Sequence, residues 1–554
     1  MFKKSGGIVP RRTAKEIRGG LKENAKKRNA RRVNERKNIS SGAFSSKKIE
    51  HKDQDLDPAE ADVHAHIHRA RRAQVEWGDR SVERRVEIVR RFRLFLLEEM
   101  DDFAKLIVEQ TGKTLVEAYA MEILSLLEFC AVFEENTPTI LADEVRGVRV
   151  ARHKRIRIRH MPRGVIGVLA PWNFPVAIGG TDMVHALLAG NAVVVKPSEI
   201  SAEPLLFLQG LFQRAGVPKD VVQVLVGGPE VGRALTSSTS RKERVDFISF
   251  TGSTETGKKV AMQCAAHLIP HRVELGGNGA AIVLPDADLD RAASALVWGA
   301  FANAGQVCAA IQRIYVHRSI EGKLLGKLRD QIARLRQLDD DDPANEIARL
   351  CPPKLATQMR EFVEDALEKG GFLHTGQKPK EAQIRLRPVI LVETGKSADV
   401  FAEECFGPVV PVAAFDDVNE LLIELNASPY ALASYVFSEN EFDAIRIAER
   451  LETTTVMIND VLWAYGMPEI PWEGSKDSGY GVSHGVEGLR ALCVRQVVHE
   501  ERMRLFDVEP FWFPYGKGTL SRLRHGMRAL YGAGLRQKMK GIFDPSLFKR
   551  DHHD

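Results

Sequence analysis

Val165-Ile166-Gly167-Val168-Leu169, Ala192-Val193-Val194-Val195, Val222-Gln223-Val224-Leu225-Val226 and Phe247-Ile248-Ser249-Phe250 are short apolar runs separated by helical stretches. Strand, helix, strand in that alternation predicts parallel βαβ units. A second series, with Ala280-Ala281-Ile282-Val283-Leu284 and Arg313-Ile314-Tyr315-Val316, carries the α/β pattern to about residue 480 without an internal repeat. Before the first run, Val82, Val86, Ile88, Val89, Phe92, Phe95 and Leu96 recur at helical spacing among charges, which predicts a helical layer over 58–135. Between the two, Arg155-Ile156-Arg157-Ile158-Arg159 alternates with a period of two and predicts a half-exposed strand in a β-ribbon.

At 554 residues the chain is long enough for two or three domains. Its 44% hydrophobic and 28% charged residues match a folded protein. No stretch has the 18 or so uninterrupted apolar residues of a membrane-spanning helix, and the N-terminus carries charge where a signal peptide needs an apolar centre. The expected location is the cytoplasm, with membrane association left open. Residues 1–50 hold 16 Lys/Arg against 4 Asp/Glu, whereas the rest of the chain is mildly acidic. This basic arm has too few apolar residues to build a core and is expected to be disordered. The tail after 506 begins with Phe511-Trp512-Phe513-Pro514-Tyr515, followed by a stripe of Leu520, Leu523, Met527, Leu530 and Tyr531 at helical spacing. Arg522, Arg524, Arg528, Arg536, Lys538 and Lys540 surround the stripe. It fits either an anionic membrane surface or packing on the body or on a neighbouring subunit.

The six cysteines form no CxxC pair or Cys/His cluster, so neither zinc nor a disulfide framework is expected. Five read as small, partly buried hydrophobes. Cys308 ends the small-residue, amide-rich run Phe301-Ala302-Asn303-Ala304-Gly305-Gln306-Val307-Cys308. Glu274, in Glu274-Leu275-Gly276-Gly277-Asn278, lies 34 residues earlier beside flexible glycines. A thiol and a nearby carboxylate make a candidate nucleophile and base.

With these segments the chain resembles the aldehyde dehydrogenase superfamily through most of residues 58–500. The motifs that carry the resemblance stand in the family's order: Pro171-Trp172-Asn173-Phe174-Pro175, Lys196-Pro197-Ser198-Glu199, Phe250-Thr251-Gly252-Ser253-Thr254-Glu255-Thr256-Gly257, the Glu274 and Cys308 segments, Glu403-Glu404-Cys405-Phe406-Gly407-Pro408, and Gly474-Ser475-Lys476-Asp477-Ser478-Gly479. Pro471-Trp472-Glu473-Gly474 and Asn278-Gly279 depart from the usual pattern beside the catalytic positions and bear on the shape of the substrate mouth. The chain is similar to bacterial broad-substrate or succinate-semialdehyde-type members.

The resemblance implies an α/β fold with a Rossmann-type cofactor domain, an α/β catalytic domain and an oligomerisation ribbon. The expected division is the arm over 1–52, the cofactor domain over 53–142 and 161–275, the catalytic domain over 276–480, the ribbon over 143–160 and 491–505, and the tail over 506–554. Val494-Arg495-Gln496-Val497-Val498 is expected to join the ribbon and a homodimer or homotetramer to form through its edge. By resemblance Cys308 is the nucleophile, Asn173 with the Cys308 backbone N–H holds the oxyanion, and Glu274 is the base for hydrolysis. Gly252 and Ser253, with Gly257 in the same segment, adjoin the cofactor pyrophosphate. Lys196 and Glu199 hold the adenosine ribose, Glu404 and Phe406 the nicotinamide ribose and ring, and Trp172 is a further cofactor neighbour.

A carboxylate at Glu199 accepts hydrogen bonds from ribose hydroxyls and repels a 2′-phosphate, so NAD is the expected cofactor and NADP an admissible one. Without the resemblance, the 252–257 segment reads first as a serine and glycine helix cap. Val176-Ala177-Ile178-Gly179-Gly180-Thr181, implied to line the aldehyde tunnel, carries no arginine for a substrate carboxylate. The expected substrate is therefore an uncharged aldehyde, with succinate semialdehyde the alternative. An acyl transfer to coenzyme A is disfavoured by the retained Glu274. A non-catalytic, nucleic-acid-binding protein is disfavoured by the joint presence of Cys308, Glu274 and Asn173, and no nucleic-acid partner is expected.

Overall fold

Two largely parallel sheets form where the apolar runs fall. The computed structural model describes residues 58–503, apart from 150–153, 239, 341 and 381, together with 509, 512–535 and 539. The basic arm over 1–52 and, in the tail, Phe511, Arg536, Lys538 and Lys540 lie outside the described residues.

The first sheet runs Gly479–Tyr480, His271–Glu274, Phe247–Thr251, Val165–Leu169, Ala192–Lys196, Val222–Val224. Its first strand is antiparallel and the other five are parallel. The chain starts at Val165–Leu169, moves outward on one side, and returns to place Phe247–Thr251 on the other. The strand order therefore reverses between those two strands, and a crevice at the carboxyl ends of such strands is where open α/β sheets bind ligands.

The preceding helices cover this sheet. Ile88, Val89, Phe92 and Leu96 form the inward face of Val82–Glu98, and Phe92 stacks on Phe212 with ring centroids 3.7 Å apart. Truncating so well packed a phenylalanine costs about 3–5 kcal/mol. Trp77 is buried as well, its indole N–H donating to the Leu187 carbonyl at 3.1 Å.

The second sheet has seven strands in the order Phe372–Thr375, Val389–Val392, Val409–Phe415, Ile311–His317, Gly279–Val283, Ala433–Phe437, Thr455–Ile458. Only the first pairs antiparallel. A three-stranded antiparallel ribbon joins Glu144–Arg146, Lys154–Pro162 and Cys493–Glu501. Its alternating arginines meet acids across the strands, as Arg155 does with Glu500 at 2.8 Å. Cys493–Glu501 pairs on one side only, and Val494 and Val497 are exposed along it.

In the tail, Thr519–Tyr531 is helical, and Leu520, Leu523, Met527, Leu530 and Tyr531 are exposed. The stripe is largely exposed, with Arg149 lying over the Tyr531 ring at 5.4 Å from its centre. Among the described residues no helix is long and apolar enough to cross a membrane, and no cluster of potential ligands could hold a metal ion.

Candidate active site

The turn before Cys308 is built under strain. Helix Leu289–Phe301, capped by Asp288, ends in Ala302–Gly305, where Asn303 (φ 51°), Ala304 (φ 55°) and Gly305 (φ 74°) are all left-handed. Each non-glycine residue there costs on the order of 1–3 kcal/mol unless its surroundings hold it. They do. The Asn303 N–H donates to Glu117 Oε1 at 2.6 Å, Gln306 Nε2 to the Asn303 carbonyl at 2.8 Å, and the Cys351 N–H to Gln306 Oε1 at 2.7 Å. A Cβ at Gly305 would collide with the carbonyl of Gly407, so only glycine lets the 403–408 loop come this close. Just beyond, Ala309 accepts a hydrogen bond from the buried Tyr435 hydroxyl. Of the six cysteines, Cys308 alone is not fully buried.

Glu274 ends its strand beside this turn. The next glycines are not there for flexibility, as the sequence suggests, but for close approach. A Cβ at Gly277 would strike the Cys308 carbonyl, and one at Gly276 would strike the Glu404 carboxyl. The Gly277 N–H instead donates to Glu404 Oε1 at 3.0 Å. Burial pushes Glu274 up to about 7, although Arg272, Ser483 and Trp472 stand close enough to pull it back. Arg272 is itself buried and anchored by Asp182, and donates to Ser249 Oγ at 2.9 Å. Burial pushes the Cys308 thiol up to about 12, with Glu274 and Glu404 adding to the shift. Burial likewise raises Glu404 to about 7. Thiol and both carboxylates thus share one enclosed site, and a carboxylate near 7 is matched to taking a proton from water near neutrality.

Asn173 follows strand Val165–Leu169 and lies against the same turn, its Nδ2 donating to the Gln306 carbonyl at 3.0 Å. Phe174 and Ile178 continue into a cavity of about 650 Å³ with Cys308 in its wall. Of the stretch 176–181, only Ile178 lines this cavity. Gly179 and Gly180 face Leu205 and Leu208, so the rest of the stretch packs inward. The departure at Trp472 sits where it matters: Trp472 is buried, lines the cavity, and meets Tyr465 edge-on with centroids 5.3 Å apart.

The expected cofactor residues gather at the strand reversal. Lys196 ends its strand, with Nζ 3.3 Å from Glu199 Oε1. Gly252 follows strand Phe247–Thr251, across Val165–Leu169 from the Lys196 strand, and Ser253 caps helix Thr254–Ala266 by accepting the Thr256 N–H. Gly257, on that helix, leaves no room for a Cβ against Leu275 and so sets a close contact between helix and chain. Trp172 and Phe406 meet edge-on at 5.8 Å, and Phe406 is held at φ 54°. A helix N-terminus at the reversal, with the charged pair on one side and the ring pair with Glu404 on the other, fits the phosphates, ribose and ring of a dinucleotide.

Sequence reasoning missed Lys113, Glu117 and Glu122. Thr114-x-x-Glu117 is readable as a capping box, and the box forms, but nothing in it reveals that Glu117 also holds Asn303.

The aldehyde dehydrogenase family model matches residues 54–498. The chain is 32% identical over 474 residues to a Methylomonas protein named 4,4'-diapolycopene aldehyde oxidase, covering 85% of this chain and 87% of that one. It is 33% identical over 451 residues, 80% of this chain and 86% of the other, to a Mycolicibacterium smegmatis protein named for succinate-semialdehyde dehydrogenase and NADP(+). The solved aldehyde dehydrogenase of Brucella melitensis biovar abortus superposes with a TM-score of 0.76 at 31% identity, covering 80% of this chain and 90% of that one. The strand order, the enclosed thiol and carboxylates, and these matches agree: the chain is an oxidoreductase of aldehydes and belongs to the aldehyde dehydrogenase family.

Proposed function

We propose that the chain oxidises an uncharged, largely apolar aldehyde to its carboxylic acid, with NAD as first cofactor and NADP accepted. Cys308 attacks the aldehyde carbon as its thiolate, the thiol proton leaving to water, and the Asn173 amide with the Cys308 N–H holds the oxyanion. Trp172, Lys196, Glu199, Gly252, Ser253, Gly257, Glu404 and Phe406 would hold a nicotinamide dinucleotide, which would supply the hydride acceptor. Glu274 then takes a proton from water, which opens the thioester on Cys308 and releases the acid. Acceptance of NADP is supported by Lys196, whose ammonium offsets the Glu199 carboxylate at 3.3 Å.

The substrate class rests on one observation. Of the twenty residues that line the cavity beside Cys308, only Glu128 and Glu469 carry charge, and both are acidic. A substrate carboxylate would find two like charges there and no cation, whereas Leu124, Trp298, Trp463, Met467 and Ile470, partly exposed, offer an apolar entrance. The relative named for 4,4'-diapolycopene aldehyde accords with this, and those named for succinate semialdehyde supply the second reading. Each buried methylene contributes about 0.8 kcal/mol, or roughly fourfold. Across straight-chain aldehydes from four to eight carbons, kcat/KM is expected to rise about three- to fourfold per carbon, with succinate semialdehyde at least about 100-fold below octanal. Equal or better use of succinate semialdehyde would overturn the apolar assignment.

Two further contacts belong to the same reading. Homodimers or homotetramers form through the unpaired edge of Cys493–Glu501, where Val494 and Val497 are exposed. The tail docks on an anionic bilayer, the phase in which an apolar aldehyde resides. Support comes from the exposed stripe on Thr519–Tyr531, the exposed Trp512, Phe513 and Tyr515, and a span from 510 to 543 with seven Lys/Arg and no Asp/Glu. In co-sedimentation with vesicles containing phosphatidylglycerol, the full chain is expected to pellet and a chain ending at Asp507 to stay in solution. Both forms should oxidise a short soluble aldehyde equally. Identical sedimentation of the two would remove the bilayer as the occupant, and a shift of oligomeric state on truncation would make a second copy the occupant instead.

A further inference from the structure

Beneath the Asn173 loop lies a buried ion pair that no step of the reaction uses. Lys113 and Glu122 are both fully buried, with Nζ 3.3 Å from Glu122 Oε1. Lys113 Nζ donates to the backbone carbonyl of Asn173 and stands 4.1 Å from the centre of the Phe174 ring. The other carboxylate oxygen, Glu122 Oε2, accepts the N–H groups of Val176 at 3.0 Å and Ala177 at 2.7 Å. These are the first free donors of the helical turn Pro175–Gly180. One pair therefore grips the loop on both sides, by a carbonyl at 173 and by two amides at 176 and 177.

The same segment reaches the rest of the site. Glu122 lies in the π-helical turn Ala118–Ile123, whose Ala120 and Met121 line the cavity. Glu117, at the end of the preceding turn, holds the Asn303 N–H. Asn303 Nδ2 in turn donates to the Asn173 carbonyl at 3.4 Å and the Gln306 carbonyl at 3.2 Å. A single stretch of ten residues, 113–122, before the first parallel strand thus fixes both the amide of Asn173 and the turn that presents Cys308.

We propose that Lys113 and Glu122 are positioning residues for the oxyanion site: they fix the Asn173 backbone so that its side-chain amide meets the oxyanion formed when Cys308 attacks. A buried pair retained at a catalytic loop, where apolar residues would cost no more, is explained by geometry rather than by stability. A misplacement of about 1 Å in such a donor costs on the order of 10²-fold. This assignment rests on Asn173 as an oxyanion donor.

The test is the double variant Lys113→Met with Glu122→Gln, which removes both charges at nearly constant volume and leaves neither unpaired. Its kcat is expected to fall about 100-fold, with cofactor affinity and thermal midpoint close to the parent. Alkylation of Cys308 by iodoacetamide, a displacement that forms no oxyanion, should stay within about threefold. Adding Asn173→Ala to the double variant should cost little more than Asn173→Ala alone. A folded double variant with kcat within threefold of the parent overturns the proposal, and so does alkylation that falls as far as kcat. If the double variant fails to fold, Glu122→Gln alone, which keeps one acceptor for the two amides, is expected to lose about tenfold in kcat, and parental kcat there overturns it. Full activity in Asn173→Ala would instead strike the oxyanion role itself, a different failure.

Discussion

Cys308→Ala is expected to lower aldehyde oxidation by more than about 10⁴-fold, to the background rate, because no other described group in the cavity can form the covalent intermediate. The remaining five cysteines are buried, so none can substitute. The loss should come without unfolding. Cys308 is partly exposed, and the strained turn before it is held by Glu117, Gln306 and the backbone rather than by the thiol. Cofactor binding, followed by quenching of tryptophan fluorescence, and the thermal midpoint should match the parent. Residual oxidation above about one per cent would mean that the thiol is not the nucleophile.

Glu274→Gln separates the two halves of the reaction. Attack by Cys308 and the first hydride transfer need no hydrolytic base, whereas release of the acid does. The variant should therefore give a burst of one NADH per site and then stall, with steady turnover reduced about 10²- to 10⁴-fold. Burial holds the Glu274 carboxyl near 7, and only its ionised form can take a proton from water. In the parent, turnover limited by hydrolysis should thus rise with pH up to about 7 and level off above it, falling about tenfold per pH unit well below. In the variant that inflection should vanish. A surviving inflection near 7 would transfer the titration to Glu404, the other carboxyl that burial raises to the same range.

Much of the scaffold was legible because its signals are local. The runs at 165–169, 192–195 and 247–250 read as parallel strands from short apolar runs alternating with helical stretches, and the Arg-Ile alternation at 155–159 read as the ribbon it forms. Cys308 stood out from five ordinary cysteines only through its motif, and its exposure agrees. What stayed hidden depends on approach between distant segments. Gly276 and Gly277 read as a flexible pair, yet they are glycine because Glu404, 127 residues from Gly277, and the Cys308 carbonyl occupy the space a Cβ would need. The stretch 176–181 read as a tunnel wall, but helical geometry turns only Ile178 to the cavity. The Lys113 and Glu122 grip spans some 55 to 60 residues of chain and carries no sequence pattern of its own.

The covalent step is the centre of this account and can be weighed directly. Glu274→Gln, mixed with NAD and octanal, quenched in acid after one turnover and analysed by mass spectrometry, should carry an octanoyl group on the peptide that contains Cys308, at close to one per chain. An unmodified Cys308 peptide under conditions that release one NADH per site would contradict a thioester at Cys308 and the division of labour between thiol and carboxylate.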